Sequence, residues 1–293
     1  MREFRGIFPY LVSPVTEDGK IKETVLRKLI EDLICSGVHG IVVLGSTGEF
    51  FYLDAEQKKR IVKIAVDQAG GRVPVIAGVA AGSVYDAVKQ AQRYEQMHVD
   101  GILAILNVYF PLDQQSICHY FSEIADSVEI ETVIYNNPRF TGFEISTDTL
   151  LDLAKHNNIN YYKDASPNTG RLLELHEAVG DQLKIFSASA HVPEFVMMLG
   201  GVGWMAGPAC VIPKQSVRLY ELCREKRWDE AMEMQRKLWK LNSIFQKYGP
   251  SASIKGALNL QGYDVGNPIK PCKCLPEQGV KELTAVLEEL KNV

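Results

Sequence analysis

Apolar and β-branched residues gather in eight short runs along the chain, at residues 6–13, 40–44, 73–79, 101–106, 132–135, 160–163, 184–187 and 203–206. Continuous apolar runs, rather than alternating ones, mark strands covered on both faces in a parallel sheet. The segments between them carry helical spacing. Val25, Leu29, Leu33 and Ile34 fall on one face of the first, and Asp54 ahead of Ala55-Glu56-Gln57 supplies an N-cap and a first-turn acid to another. Strand and helix alternating eight times predict an α/β chain folded as a (β/α)8 TIM barrel. A doubly wound open sheet is the competing arrangement, but it calls for a phosphate-binding turn after an early strand. Gly45-Ser46-Thr47-Gly48-Glu49 is neither G-x-G-x-x-G nor a P-loop. Beyond about residue 226 the pattern is helical only, with apolar stripes at Ala231, Met234, Leu238, Leu241 and Phe245, and at Leu283, Val286, Leu287 and Leu290. The expected organisation is a catalytic barrel over residues 1–226 and a C-terminal helical appendage over 227–293 that completes the core or an oligomer contact.

The 293 residues are 46% hydrophobic and 23% charged, a globular composition that argues against disorder. A net charge of −4 with no basic run excludes a nucleic-acid surface and leaves a small molecule as the expected partner. The uncharged stretch at 195–213 imitates a membrane span, yet Gly200, Gly201, Gly203, Gly207, Pro208 and Pro213 break it into a short helix, a turn and a buried strand. No signal-like apolar core precedes Pro9, so a cytoplasmic protein is expected. The six cysteines make no C-x-x-C pair and the six histidines show no ligand spacing, so neither a disulfide framework nor a metal is expected, and no organic cofactor is called for.

Candidate chemistry centres on Lys163, a lone amine in the aromatic run Asn160-Tyr161-Tyr162-Lys163-Asp164-Ala165-Ser166. A buried lysine is costly unless its ammonium is paired or its pKa falls. An ordinary lysine has roughly one neutral amine in a few thousand at pH 7, whereas one lowered to about 7.5 has roughly a quarter. Such an amine suits Schiff-base formation with a carbonyl. The competing reading of the heptapeptide is an edge-strand lysine with its head in water. The other reactive side chains decide between the two, because barrel active sites lie at the C-terminal ends of the strands. Ser46 and Thr47 follow the second run, Tyr109 the fourth, Tyr135 and Asn136 close the fifth, and Ser189 follows the seventh. All fall at one end of the barrel with Lys163. Ser46 and Thr47 fit either a simple turn or a carboxylate cradle. Tyr135 fits either a core position or a proton shuttle.

Gly45-Ser46-Thr47-Gly48-Glu49, Tyr135-Asn136-x-Pro138 and Tyr162-Lys163-Asp164-Ala165-Ser166, in this order and spacing, resemble the dihydrodipicolinate synthase / N-acetylneuraminate lyase family of pyruvate-dependent aldolases. The likeness runs nearly end to end. It implies that Lys163 forms a Schiff base with the keto carbon of pyruvate or another 2-keto acid, and that Tyr135 is the general acid/base. Ser46 and Thr47 would hold the carboxylate, with Thr47 linking Tyr135 to a second tyrosine matched by Tyr109. In the family that tyrosine often reaches a neighbouring subunit, which implies a homo-oligomer, a dimer or a tetramer of dimers.

Departures bear on substrate. Phe140 stands where the synthase carries an arginine for the carboxylate of aspartate semialdehyde, and Arg139 is one position off, which in an extended segment turns the side chain away. Ser187-Ala188-Ser189-Ala190 lacks the acids that sialic acid lyases place after strand seven, and Ala188 replaces a common glycine. Phe140, Trp204 and Ser189 suggest a more apolar or tighter pocket, although Trp204 fits core packing equally well; Arg139, which the synthase reading needs in place of the missing arginine, is placed with Ser46, Thr47, Phe140, Ser189 and Ala206 among the substrate-binding residues. The expected function is a Schiff-base lyase joining or cleaving a 2-keto acid and an aldehyde, of the 2-keto-3-deoxy acid aldolase or dehydratase type. The alternatives are 4-hydroxy-tetrahydrodipicolinate synthase and, from another class, a non-catalytic keto-acid-binding barrel.

Overall fold

The computed structural model describes residues 2–180, 182–188, 192–291 and 293. Eight parallel strands, β1 (Gly6–Pro9), β2 (Ile41–Val43), β3 (Val75–Ala81), β4 (Gly101–Leu106), β5 (Glu131–Asn136), β6 (Tyr161–Asp164), β7 (Lys184–Ser187) and β8 (Gly203–Ala206), follow one another around a barrel in the order β1-β8-β7-β6-β5-β4-β3-β2. A parallel bridge between Tyr10 and Val42 brings the two ends of that order together. The helices are α1 (Glu23–Cys35), α2 (Ala55–Ala69), α3 (Val84–Gln96), α4 (Gln114–Asp126), α5 (Pro138–Thr141), α6 (Thr147–Leu153), α7 (Thr169–Val179), α8 (Pro193–Met198), α9 (Pro213–Arg224), α10 (Trp228–Tyr248), α11 (Pro250–Leu260) and α12 (Glu277–Leu290). This is the (β/α)8 barrel that the eight apolar runs predict, and β4, β7 and β8 occupy the predicted residues. The first run, expected over 6–13, is strand only to Pro9. Asp54 caps α2 through a reciprocal box, accepting from Gln57 N at 2.7 Å while Gln57 Oε1 accepts from Asp54 N at 2.7 Å. The uncharged stretch at 195–213 becomes the end of α8, a turn and β8, and among the described residues no helix is long and apolar enough to cross a membrane.

Strand alternation sorts the core into two layers. Phe8, Tyr10, Val42, Ile76, Leu103, Val133, Tyr135, Tyr161, Phe186 and Met205 fill the barrel interior, while Ile41, Val43, Ile102, Ile134, Tyr162 and Trp204 pack outward in the core formed with the helices. Both layers are dry, which is why the runs read as continuously apolar.

The C-terminal helices close over the strand ends. Glu49, buried in the turn after β2, meets Lys255 of α11 at 2.5 Å, with each side chain only 1% exposed. Glu49 Oε1 also accepts from Ile269 N at 2.8 Å, and Lys255 Nζ donates to Asn267 O at 2.9 Å. The pair therefore joins barrel, helix and the following loop at one point. Breaking such a pair leaves a buried charge uncompensated. Lys255→Met is expected to lower unfolding free energy by about 3–5 kcal/mol. Glu49→Gln combined with Lys255→Met should recover most of that loss in a urea-denaturation cycle; strict additivity of the two single changes would show the pair to be uncoupled.

Candidate active site

Register places the reactive groups side by side. Tyr135 on β5 pairs with Lys163 on β6, which pairs with Phe186 on β7. Lys163 shares the inward face of β6 with Tyr161 and Ala165, and its Nζ lies 3.7 Å from the Tyr10 ring centroid and 4.0 Å from that of Tyr135. The residue is 2% exposed. Asp164, its sequence neighbour, is turned to the other face. There it accepts from Asn136 Nδ2 at 2.8 Å, Tyr162 Oη at 3.0 Å and the Ser166 N–H at 3.1 Å. The nearest carboxylate in sequence is thus committed elsewhere.

Two opposing effects act on the Lys163 amine. Ring faces attract an ammonium by about 0.5–2 kcal/mol. Removing an ammonium from water costs several kcal/mol, and no carboxylate among the described residues pairs with this one. Desolvation wins, so burial holds the amine well below the ordinary lysine pKa. That shifts the amine toward its neutral, nucleophilic form relative to an ordinary lysine.

Tyr135 supplies the phenol. Burial raises its pKa, and hydrogen bonds from Asn137 and Ser46 oppose the rise. Asn137 Nδ2 donates to the phenol oxygen at 2.8 Å, which favours the phenolate and leaves the O–H proton free to move toward substrate. Ser46 and Thr47 form a turn of 3-10 helix after β2. Leu44 enters that turn with φ 58° and Glu49 leaves it with φ 54°, left-handed conformations that cost non-glycine residues about 1–3 kcal/mol each. Gly45 is required beside them, because a Cβ there would stand 2.6 Å from the Tyr10 ring. A Cβ on Gly207 would likewise meet Thr47 Oγ1 at 2.7 Å.

These side chains open into one cavity of about 250 Å³. Of the sequence candidates, Lys163, Tyr135, Ser46, Thr47, Arg139 and Phe140 line it. The expectation that Arg139 turns away is corrected: Pro138–Thr141 is a helical turn rather than an extended segment, and consecutive residues about 100° apart both reach the mouth. Tyr109 does not reach its own chain's cavity; it is 91% exposed and stacks edge-on with Phe110, with ring centroids 4.9 Å apart. Trp204 is a packing residue, donating to Ala188 O at 3.2 Å from the outer core. Ala206 is buried at the end of β8, where its carbonyl accepts from Tyr10 N, and it does not border the cavity. Ser189 lies outside the described residues.

Sequence reasoning missed Tyr10, Asn137 and the contribution of the C-terminal helices: Asn242, Phe245 and Gln246 of α10, with Pro250 and Ile254 of α11. One signal was available for α10. Gln235 and Asn242, seven residues apart, interrupt its apolar stripe with buried polar side chains.

A desolvated lysine beside a tyrosine phenol, at the C-terminal end of a (β/α)8 barrel, defines a lyase of the class I aldolase type. Comparison with known proteins agrees. The model of the dihydrodipicolinate synthetase family matches residues 3–290, and the chain belongs to that family. It is 32% identical over 289 residues to a 4-hydroxy-tetrahydrodipicolinate synthase of Clostridium novyi, covering 98% of this chain and 97% of that one. Among solved structures it is similar to YagE, a family member from E. coli K12 in complex with pyruvate (TM-score 0.92, 29% identity, 98% and 99% of the chains covered). It is also similar to the 4-hydroxy-tetrahydrodipicolinate synthase of Methylacidiphilum fumariolicum SolV (TM-score 0.95, 26% identity, 99% and 97% covered).

The burial of Lys163 has a thermodynamic consequence. Its folded pKa lies below the unfolded value near 10.4, so the unfolded chain binds more protons and stability falls as pH drops from that value toward the folded pKa. Lys163→Met should therefore raise the melting temperature by a few degrees at pH 7, with the gain shrinking as pH approaches 10. Calorimetry across that range checks it; a gain independent of pH would assign the effect to packing alone.

Proposed function

We propose that the protein makes or cleaves the bond between C3 and C4 of a 4-hydroxy-2-keto acid, taking pyruvate or a related 2-keto acid as the donor half. The desolvated Lys163 amine between the Tyr10 and Tyr135 rings is the observation that carries this reading. In the cleavage direction the neutral amine attacks the C2 carbonyl, and the Tyr135 phenol protonates the departing hydroxyl, so that water leaves and an iminium and a tyrosine phenolate remain. Tyr135 then takes the proton of the C4 hydroxyl, the C3–C4 bond breaks, and its electron pair passes into the enamine as the aldehyde leaves. Protonation at C3 and hydrolysis return the keto acid and the amine. Ser46 and Thr47 supply the donors for the carboxylate. A 2-keto-3-deoxy acid dehydratase would use the same iminium to pass a C3 proton to the Tyr135 phenolate and, as the enamine, expel the C4 hydroxyl as water with that proton.

A second reading, 4-hydroxy-tetrahydrodipicolinate synthase, is favoured by one observation. Arg139 borders the cavity, so a guanidinium is available for a semialdehyde carboxylate although Phe140 holds the usual position. Activity with aspartate semialdehyde that disappears in Arg139→Ala would favour the synthase over the general aldolase.

The protein is further read as a cytoplasmic homo-oligomer, a dimer or tetramer. Exposed Phe51, Tyr85, Tyr109 and Phe110 come from the segments following β2, β3 and β4, adjacent strands of the barrel. Such residues suit burial against a second copy. An active enzyme sedimenting as a single chain would remove this reading.

Incubation with pyruvate and borohydride should add one reduced pyruvyl group to Lys163, detected by intact mass and peptide mapping, and none to Lys163→Ala. Tyr135→Phe should reduce turnover about 10²–10⁴-fold. A folded wild-type protein that forms no adduct with pyruvate or other 2-keto acids would return it to the class of binding barrels.

A further inference from the structure

Tyr10 stands against the reactive lysine, and the proposed reaction gives it no task. It lines the cavity, is 2% exposed, and its ring centroid lies 3.7 Å from Lys163 Nζ, nearer than the Tyr135 ring at 4.0 Å. Its backbone is held at the seam where the barrel closes. The Tyr10 N–H donates to Ala206 O of β8 at 3.1 Å, its carbonyl accepts from Cys210 Sγ at 2.7 Å, and the residue bridges to Val42 of β2. Gly45 leaves the space that the ring fills, since a Cβ there would stand 2.6 Å from it. A group fixed in this way needs no reorganisation when charge develops beside it.

Charge does develop there. The neutral amine, the keto acid and the Tyr135 proton give iminium, water and phenolate, so a positive charge appears at Nζ. Among the described residues that line the cavity, the charged ones are Lys163 and Arg139, and none is a carboxylate. The protein therefore meets the new charge with ring faces rather than with an anion of its own. Two different cations can occupy the position. The ammonium of the free enzyme is compact and hydrated through three N–H groups, and burial strips that hydration away. The iminium has a single N–H and shares its charge with C2 of the substrate, so burial costs it less, while its attraction to a ring face remains. The same surroundings thus disfavour the first cation and favour the second.

We propose that Tyr10 is a further catalytic residue, whose ring face stabilises the positive charge of the iminium formed on Lys163. This inference rests on the aldolase reading and adds a residue to that same site. Tyr135 moves the protons, and Tyr10 holds the cation that those proton transfers leave behind.

The test is the pyruvate concentration that half-converts Lys163 to iminium, read by NMR of pyruvate labelled with 13C at C2. It is measured above the titration midpoint of the free amine, so that the starting amine is neutral and the product carries the charge. Tyr10→Leu, which removes the ring, should raise that concentration about two- to thirtyfold, the span between a weak and a fully desolvated cation–ring contact. Tyr10→Phe keeps the ring and should stay within about twofold of wild type. Phenylalanines carrying one, two and three ring fluorines, installed at position 10, withdraw electrons from the ring with little change in size, and the concentration should climb with each fluorine. Fluorination should also leave the Lys163 midpoint unchanged or lower, because a weakened ring holds the ammonium less. A flat fluorine series, or a Lys163 midpoint that rises along it as water enters, overturns the proposal and leaves Tyr10 a packing residue. Borohydride trapping on the wild type separates the two readings: no adduct removes the aldolase and this inference together, whereas an adduct with a flat series counts against Tyr10 alone.

Discussion

A lysine amine held in a dry barrel interior, against two tyrosine rings and away from any carboxylate among the described residues, is the constraint on which the rest of this protein depends. Each neighbouring choice serves to keep that amine neutral and aimed. Strand alternation sends Lys163 inward and Asp164 outward, where hydrogen bonds from Asn136, Tyr162 and Ser166 satisfy the charge. Had the carboxylate shared the inner face, a salt bridge would hold the amine protonated and end its use as a nucleophile. The stability given up by burying Lys163 is recovered from the two apolar layers of the barrel, a trade expected where function requires a group that folding disfavours.

The site is assembled from distant parts of the chain by rigid elements. Lys163 and Tyr135 stand in register on adjacent strands, and Ser46 and Thr47 hang from a turn fixed by two left-handed residues. That turn is tied in turn to α11 by the buried Glu49–Lys255 pair. The C-terminal helices are therefore part of the active-site wall as well as of the core, since α10 and α11 both contribute side chains to the cavity.

Much of this was legible in the sequence because the physics is local. Continuous apolar runs located the eight strands, since both faces of a barrel strand are dry, and the position of Tyr135 and Lys163 at the close of the fifth and sixth runs placed them at the same end. Asp54 announced α2 as its N-cap. What was not legible depends on three-dimensional closure. Tyr10 follows a short strand at the far end of the sheet order and reaches Lys163 only once the barrel closes. Asn242 joins the cavity because α10 folds back over the strand ends. Arg139 was misjudged because the residues after β5 form a helical turn, where the two-residue period of a strand no longer holds. Ala206, expected near the substrate, is taken up by a backbone hydrogen bond at the end of β8, and Trp204, which fitted either pocket or core, packs in the outer core.

The most direct test of the account is titration of the Lys163 amine itself, by NMR on protein with 13C-methylated lysines and the resonance assigned through Lys163→Ala. A midpoint well below that of the surface lysines is the predicted result. A midpoint near 10.4, the ordinary lysine value, would mean that the ammonium is stabilised in place, and the argument from burial to nucleophile would fail.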